Sequence, residues 1–161
     1  MNTEVFTGAD GALLLSSPEG TEGESAQAVI DANELVTVGR VQDIRIEVHA
    51  EVRPFHEIGQ RYASQLRPGN VNITGSIGRA FVNGAMLSLL LGEAANGRPG
   101  GNWAQPAFNM TVRVASPTNN AVNTLTLHEV KLSNWAYQLP EDDFVLENAT
   151  FHALYITSED A

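Results

Sequence analysis

The clearest alternation of apolar and polar residues lies at positions 41–53, and it predicts a long β-strand. The apolar side chains share one face: Ile44, Ile46, Val48, Ala50 and Val52. The charged side chains share the other face: Asp43, Arg45, Glu47, His49, Glu51 and Arg53. A period of two is typical of a strand with one buried face. The charged face fits a solvated surface as well as it fits a channel wall or a contact between subunits.

The last third of the chain predicts a β-hairpin with two long arms, residues 124–139 and 144–156, joined by an acidic turn at residues 140–143. An average strand has only about 5–6 residues. The second arm is apolar on both faces, with Phe144, Leu146, Leu154 and Ile156 on one and Val145, Ala149, Phe151, Ala153 and Tyr155 on the other. An antiparallel strand with one wet face would alternate cleanly. We therefore expect a partner subunit to cover the second face.

Three shorter patterns predict further strands at residues 5–15, 71–77 and 108–114. Small polar residues mark the outward faces of the last two: Asn72, Thr74 and Ser76, then Asn109 and Thr111. One helix interrupts this β pattern, because Asn83 can cap a leucine-rich stripe that Gly92 or Asn96-Gly97 would end. The stripe is expected to close one end of a barrel or sandwich.

Two segments near these strands carry less regular patterns. Residues 16–25 are rich in Gly, Ser and Glu and predict a flexible acidic loop, whereas residues 26–35 fit either a helical turn or an extended arm. Residues 54–70 predict a long loop with exposed apolar side chains among arginines. A loop of this length inside a compact domain is usually functional.

Composition narrows the function classes. The 161 residues are expected to form one domain, residues 1–161, and they include no cysteine. The net charge of −10, with Lys131 as the single lysine, is unfavourable for gripping nucleic acid. No apolar run is long enough to span a membrane, and the start of the chain has no signal-peptide pattern, so we expect synthesis in the cytoplasm.

Candidate chemistry is sparse. The histidines, His49, His56, His128 and His152, show no metal-binding spacing. The acidic run Glu141-Asp142-Asp143 lacks the spacing of a calcium loop and is better explained as a polar turn. No serine lies in a nucleophile elbow. We therefore expect no catalytic residue, no metal and no cofactor.

Several runs together resemble the tail tube proteins of long-tailed bacteriophages. The runs are FHEIG at 55–59, LRPG at 66–69, ITGSI at 73–77, VNGAMLSLLLG at 82–92 and LHEVKL at 127–132. They continue in WAYQLPEDD at 135–143 and FHAL at 151–154, so that the resemblance covers residues 40–156.

The resemblance implies a mainly β, antiparallel barrel or sandwich subunit with one α-helix and long extended loops. Six subunits would form a ring, and stacked rings would form a tube in a virion tail, assembled in the host cytoplasm. Genomic DNA would pass through without specific binding. Tail sheath, baseplate and tail terminator proteins are implied as further partners, with no membrane.

Three sets of residues receive roles from this reading. The channel-lining candidates are Asp43, Arg45, Glu47, Glu51, Asn72, Thr74, Asn109 and Thr111. The ring-stacking candidates in the loop are Phe55, Ile58, Arg61, Tyr62, Leu66 and Arg67. The subunit-interface candidates are Phe144, Phe151 and Tyr155.

Two other functions stay open at this point. One is the inner tube of a contractile injection or secretion system, which would carry protein rather than DNA. The other is a monomeric β-sandwich, acting as a binding module or as an unrecognised enzyme. Electron micrographs of the purified protein separate tubes from monomers, and neighbouring capsid genes separate the two kinds of tube.

Overall fold

The computed structural model describes residues 5–116, 118 and 121–160. Within them the chain forms a mainly β fold, as expected. Its strands are β1 Gly11–Ser16, β2 Val41–Phe55, β3 Gln65–Ala80, β4 Phe108–Ala115, β5 Val122–Gln138, β6 Leu146–Ala153 and β7 Tyr155–Asp160. Its α-helices are α1 Thr21–Asn33 and α2 Ala85–Leu91. The expectation of a single helix is therefore wrong, and the strand expected at residues 5–15 begins only at Gly11.

All strand pairs are antiparallel, in the order β1-β4-β5-β6-β3-β2, and β7 also pairs with β5. The long strand β5 belongs to two parts of this curled sheet. Its first half lies between β4 and β7 in what we call the first sheet. Its second half pairs with β6, followed by β3 and β2, in what we call the second sheet.

One hydrophobic core joins the two sheets and both helices. Its largest fully buried apolar side chains include Phe108, Phe151, Ile30, Leu89, Met110, Leu127, Leu132 and Val130. Helix α1 contributes Ile30 and helix α2 contributes Leu89, so each helix buries an apolar stripe against the strands.

The acidic loop expected at residues 16–25 is shorter, at residues 17–20, because helix α1 begins at Thr21; the helix also covers most of the ambiguous segment at residues 26–35. Glu22 and Glu24 lie in its first turn, where the helix dipole favours negative charge. Gly23 is needed there for space, because a Cβ at that position would lie 1.9 Å from the carbonyl oxygen of Pro18. The Lys131 ammonium lies 2.8 Å from the Glu22 carboxylate and links the helix to β5.

Helix α2 follows the sequence pattern. The side-chain oxygen of Asn83 accepts a hydrogen bond from the backbone N–H of Ala85 at 3.1 Å, which satisfies one free donor at the helix start. The helix ends at Leu91, and the φ of +63° at the following Gly92 is a conformation that glycine adopts without strain.

The long hairpin is present, but it bends in the middle. Glu129 has a φ of 52° and lies in a bulge of β5, and Leu154 separates β6 from β7 on the opposite arm. The core-facing positions change parity at this bend, from Ala149 and Phe151 in β6 to Ile156 in β7. The second arm has apolar residues on both faces because its two strands, β6 and β7, bury opposite faces in the same core. This pattern therefore does not require a partner subunit to cover a second face.

Candidate assembly surfaces

The β2–β3 hairpin projects from the rest of the fold. Strand β3 pairs with β6 only from Ile73 onwards, whereas its pairing with β2 continues to Phe55 and Gln65. The eight residues from Gln65 to Asn72 therefore extend roughly 26 Å past the last β6 pair, at about 3.3 Å per residue. We call residues 50–72 the arm. The loop expected at residues 54–70 is shorter, at residues 56–64, and Leu66 and Arg67 lie in β3.

Large apolar side chains of the arm are exposed. Ile58 and Tyr62, near its tip, are about fully exposed, at 106% and 90%. Val52, Leu66 and Val71 are more than half exposed, and Phe55 is 54% exposed. Several large apolar side chains exposed on one projection are typical of an interaction site. The stacking candidates Phe55, Ile58, Arg61, Tyr62, Leu66 and Arg67 thus lie together on one exposed projection.

A second exposed apolar surface lies at the opposite end of the second sheet, beyond the ends of β3 and β5 and the start of β6. Its members are Phe81, Val82, Tyr137, Leu139 and Phe144. We call this surface the apolar pole. The Phe81 N–H donates to the Val145 carbonyl at 2.9 Å, and the rings of Phe81 and Tyr137 stack at 5.4 Å. These contacts hold the two chain segments of the pole together.

Polar side chains cover the face of the second sheet that points away from the core. Cross-strand register places Arg45 opposite Ser76 and Glu47 opposite Thr74. We call this surface the polar face; it comprises Asp43, Arg45, Glu47, His49, Glu51, Asn72, Thr74, Ser76, Asn148, Thr150 and His152.

Charges on the polar face are paired along β2. Arg45 lies 3.5 Å from Glu47, and Arg53 lies 2.7 Å from Glu51. The Arg53 hydrogen bond, aided by the Asn70 backbone N–H and the charge of His49, lowers the pKa of Glu51 below its ordinary value. This face therefore combines small hydroxyl and amide groups with paired arginines, and Asp43 adds a negative charge without an ion-pair partner among the described residues.

Two of the channel-lining candidates lie elsewhere. Asn109 and Thr111 are on β4, which pairs with β1 and β5 and does not neighbour β2 or β3. Their place in the first sheet separates them from the other channel-lining candidates, which lie on β2 and β3. The side-chain oxygen of Asn109 accepts a hydrogen bond from the backbone N–H of Glu129 at 3.1 Å, so Asn109 stabilises the bulge of β5.

The subunit-interface candidates separate into two kinds. Phe144 is 77% exposed at the apolar pole, and Tyr155 is half exposed with its ring stacked on His128 at 4.1 Å. Phe151 is only 1% exposed and packs within the chain's own core. The structure corrects the placement of Phe151, because a side chain buried in its own subunit has no surface left for a neighbour.

A buried ion pair was missed by the sequence patterns. Arg79 on β3 and Glu147 on β6 form it with almost no exposed surface, and the Trp135 indole N–H donates to Glu147 at 2.9 Å. Arg79 also donates to the Asn83 side chain at 3.1 Å, which connects the pair to the start of α2. The sequence did carry one signal for it: Glu147, Ala149 and Phe151 are alternate residues of one strand, so all three side chains point to the same, core-facing side.

Across residues 5–116, 118 and 121–160, no group of three or more histidine and acidic side chains could hold a metal ion. No helix in the same residues is both long and apolar enough to cross a membrane. His128, which the sequence left unassigned, hydrogen-bonds with the Thr157 hydroxyl at 3.1 Å next to the hairpin bend.

Comparisons with known proteins identify the fold. The sequence matches no protein-family model and no curated protein. The fold is similar to a chain of the anti-feeding prophage cap, described as the tube terminating cap, with a TM-score of 0.68 and 8% identity over 100% of this chain and 95% of that one. It is also similar to a chain of the extended sheath–tube complex of the PVC contractile injection system, with a TM-score of 0.66 and 6% identity over 98% and 93% of the two chains.

The SPP1 tail tube gives a third likeness, with a TM-score of 0.63 and 11% identity, covering 98% of this chain and 80% of that chain. The fold is thus that of tube and tube-terminating proteins from phage tails and contractile injection systems. At these identities the likeness establishes the fold alone.

Proposed function

We propose that this chain is the repeating structural subunit of a tail tube, without enzymatic activity, and that residues 1–161 act as a single tube domain. The observation that carries the proposal is the whole-chain likeness to three tube-related proteins at TM-scores of 0.63 to 0.68. The exposed arm and apolar pole support it, since exposed apolar side chains are unfavourable in water unless a partner covers them. On this proposal the protein resides in the tail of a virion or a related particle.

The free edges of the second sheet support assembly into a ring. In the described part of the chain, no strand pairs with the outer edge of β2 or with the far side of β5 at residues 133–138. The outer edge of β1, by contrast, is covered, because Val36 and Val38 exchange backbone hydrogen bonds with Leu15 and Leu13. Pairing β2 of one subunit with β5 of the next satisfies both free edges and continues the sheet around a ring.

Six copies of the four-stranded second sheet would close a barrel of suitable size. Strands about 4.8 Å apart and tilted about 40° give a backbone diameter of roughly 45–50 Å for 24 strands. Side chains reduce the free width to about 40 Å, which admits a DNA duplex about 20 Å wide without contact.

We assign the polar face to the channel wall. It lies opposite the core, and its arginines are paired with acids in Arg45–Glu47 and Arg53–Glu51, while Asp43 forms no ion pair among the described residues. Phosphate is retained by clustered free cations, and the described part of this face has no unpaired arginine or lysine. Asn109 and Thr111 belong to the first sheet, so in this arrangement they lie on the outer wall.

The cargo we favour is genomic DNA, with sheath, baseplate and terminator proteins as further partners. A second candidate, the inner tube of a contractile injection system that carries protein, is supported by the likeness to the anti-feeding prophage cap and the PVC sheath–tube complex. A wide channel with paired charges suits either cargo.

Native mass spectrometry and negative-stain microscopy of the purified chain test the proposal. We expect a mass of six subunits for the smallest assembly, and rings or tubes with a stain-filled centre. A protein that stays monomeric at all accessible concentrations and shows no rings would contradict the proposal.

A further inference from the structure

We infer that the apolar pole is the docking surface for the arm of a second copy of this chain in the adjacent ring. This inference rests on the proposed function and adds the receiving surface for stacking. It assigns a role to Phe81, Val82, Leu139 and Phe144, which lie outside the ring-forming edges, and to the exposed side chain of Tyr137.

The two surfaces lie at opposite ends of one sheet. Strand β2 runs from Val41, next to the pole, to Phe55 in the arm, and β3 returns from Gln65 to Ala80 beside the pole. A contact between the arm of one copy and the pole of another is head-to-tail. Such a contact does not close on itself, and it therefore propagates along an axis as stacked rings do.

The apolar chemistry of the two surfaces matches. The arm presents Ile58 and Tyr62 almost fully exposed, and the pole presents Leu139 and Phe144 with 73% and 77% exposed. Each surface would otherwise remain in water. Burying them against each other removes both unfavourable exposures in one contact.

The charges of the two surfaces are also complementary. The turn beside the pole carries Glu141, Asp142 and Asp143, three acids within a chain of net charge −10. The arm carries Arg61 and Arg67, which form no ion pair among the described residues, against the single loop acid Glu57. Glu51 is already paired with Arg53. The arm is thus the cationic projection of an acidic protein, and the acidic pole of a second copy complements it.

Cross-linking provides the positional test, because the natural chain has no cysteine. Tyr62→Cys and Leu139→Cys are combined in one chain, tubes are assembled, and a short bis-maleimide is added. We expect a ladder of covalent multimers on a denaturing gel, since each subunit links to the one above and below it. Each single variant is a control that cannot form a ladder.

A matched double variant guards against chance linkage. Tyr62→Cys with Ser158→Cys places the second thiol on an exposed residue of β7, which pairs with Leu125 in the half of β5 far from the pole. Tubes that give a ladder only with Leu139→Cys support the inference. Tubes that form normally but give no ladder with Leu139→Cys, or give one equally with Ser158→Cys, overturn it. Absence of rings in the wild-type chain would instead be a failure of the proposed function.

Charge reversal provides the second test. Arg61→Glu and Asp142→Arg, each alone, should weaken stacking at low salt by roughly tenfold or more, because a small loss per contact is multiplied around the ring. The double variant restores the pairing with opposite signs and should recover most of the tube length. Arg98→Glu, on an exposed loop elsewhere, is the control for net charge. If both single variants form wild-type tubes, or if the double variant is no better than either, the arm does not dock at the pole.

Discussion

Arg79 and Glu147 are direct register partners on β3 and β6, and they form the buried ion pair of the second sheet. The pair also contacts Trp135 on β5 and Asn83 at the start of α2. Arg79 is one residue before the end of β3, and Glu147 is one residue after the start of β6. Just beyond these ends, the hydrogen bond from Phe81 N–H to the Val145 carbonyl connects the segments of the apolar pole. The pair therefore positions the surface that we assign to stacking.

Replacing Arg79 with methionine should lower the free energy of unfolding by about 3–5 kcal/mol, because Glu147 would remain buried without a cation. Urea denaturation of the unassembled chain measures this change. The matched control is Arg45→Met, which removes the exposed pair with Glu47 and should cost only about 0–1 kcal/mol. Equal costs for the two variants would show that burial does not set the strength of the Arg79–Glu147 pair.

Two phenylalanines of the closing hairpin should behave in opposite ways. Phe151→Ala should destabilise the subunit by about 3–5 kcal/mol, because its ring fills the core. Phe144→Ala should change subunit stability by no more than about 0.5 kcal/mol, since the ring is exposed, yet it should shorten the tubes. Denaturation and tube length, measured on both variants, check this. A stable Phe151→Ala subunit that fails to assemble would place Phe151 at an interface after all.

Gly75 should be intolerant of any side chain. An added Cβ would lie 2.2 Å from the Arg45 carbonyl oxygen and 2.4 Å from the Phe151 ring. Gly75→Ala should therefore lower stability by about 1–3 kcal/mol through overpacking. Gly100→Ala, where nothing lies within 4 Å of the new Cβ, is the control and should be nearly neutral. Thermal unfolding of the two variants gives the comparison, and similar melting temperatures would contradict it.

The acid response of the arm should depend on Arg53. Because Arg53 first, and then Asn70 and His49, lower the folded-state pKa of Glu51, ionised Glu51 favours the folded chain. This contribution is complete above the unfolded pKa of about 4.3 and disappears as the pH falls through the lower, folded value. Arg53→Gln should raise the pKa of Glu51 towards its ordinary value.

Carboxyl carbon NMR titration of the unassembled chain measures that change, and Arg98→Gln is the control at a distant exposed site. A Glu51 titration midpoint that does not move in Arg53→Gln would mean that the Arg53 hydrogen bond is not the main cause of the lowered pKa.

Strands and helices with a regular spacing of apolar residues were predictable from the sequence, because burial of one face produces that spacing. The alternation at Ile44, Ile46 and Val48 predicted β2, and the leucine stripe after Asn83 predicted α2. The first turns of helix α1 were missed because Gly23, with Thr21 and Ser25 close to it, lowers the local helix propensity. Its stability comes from packing Ala26 and Ile30 into the core, which local sequence does not reveal.

The surfaces were predictable only in part. The exposed side chains of the arm were recognised by composition, since large apolar residues such as Ile58 and Tyr62 are unusual in a loop that makes no contacts. The hairpin bend was missed, because the positive φ of Glu129 and the break at Leu154 carry no strong sequence signal. That single bend exchanged the faces of β6 and β7 and led to the wrong placement of Phe151.

A cryo-electron microscopy reconstruction of tubes grown from the purified chain tests the central claim most directly. We predict six subunits per ring, a β-barrel wall made from β2, β3, β5 and β6, and Glu47 and Thr74 facing the channel. We also predict that the arm of each subunit contacts the apolar pole of a subunit in the next ring. Particles that are not tubes, or tubes in which Glu47 and Thr74 face outwards while Asn109 and Thr111 line the channel, would contradict the account.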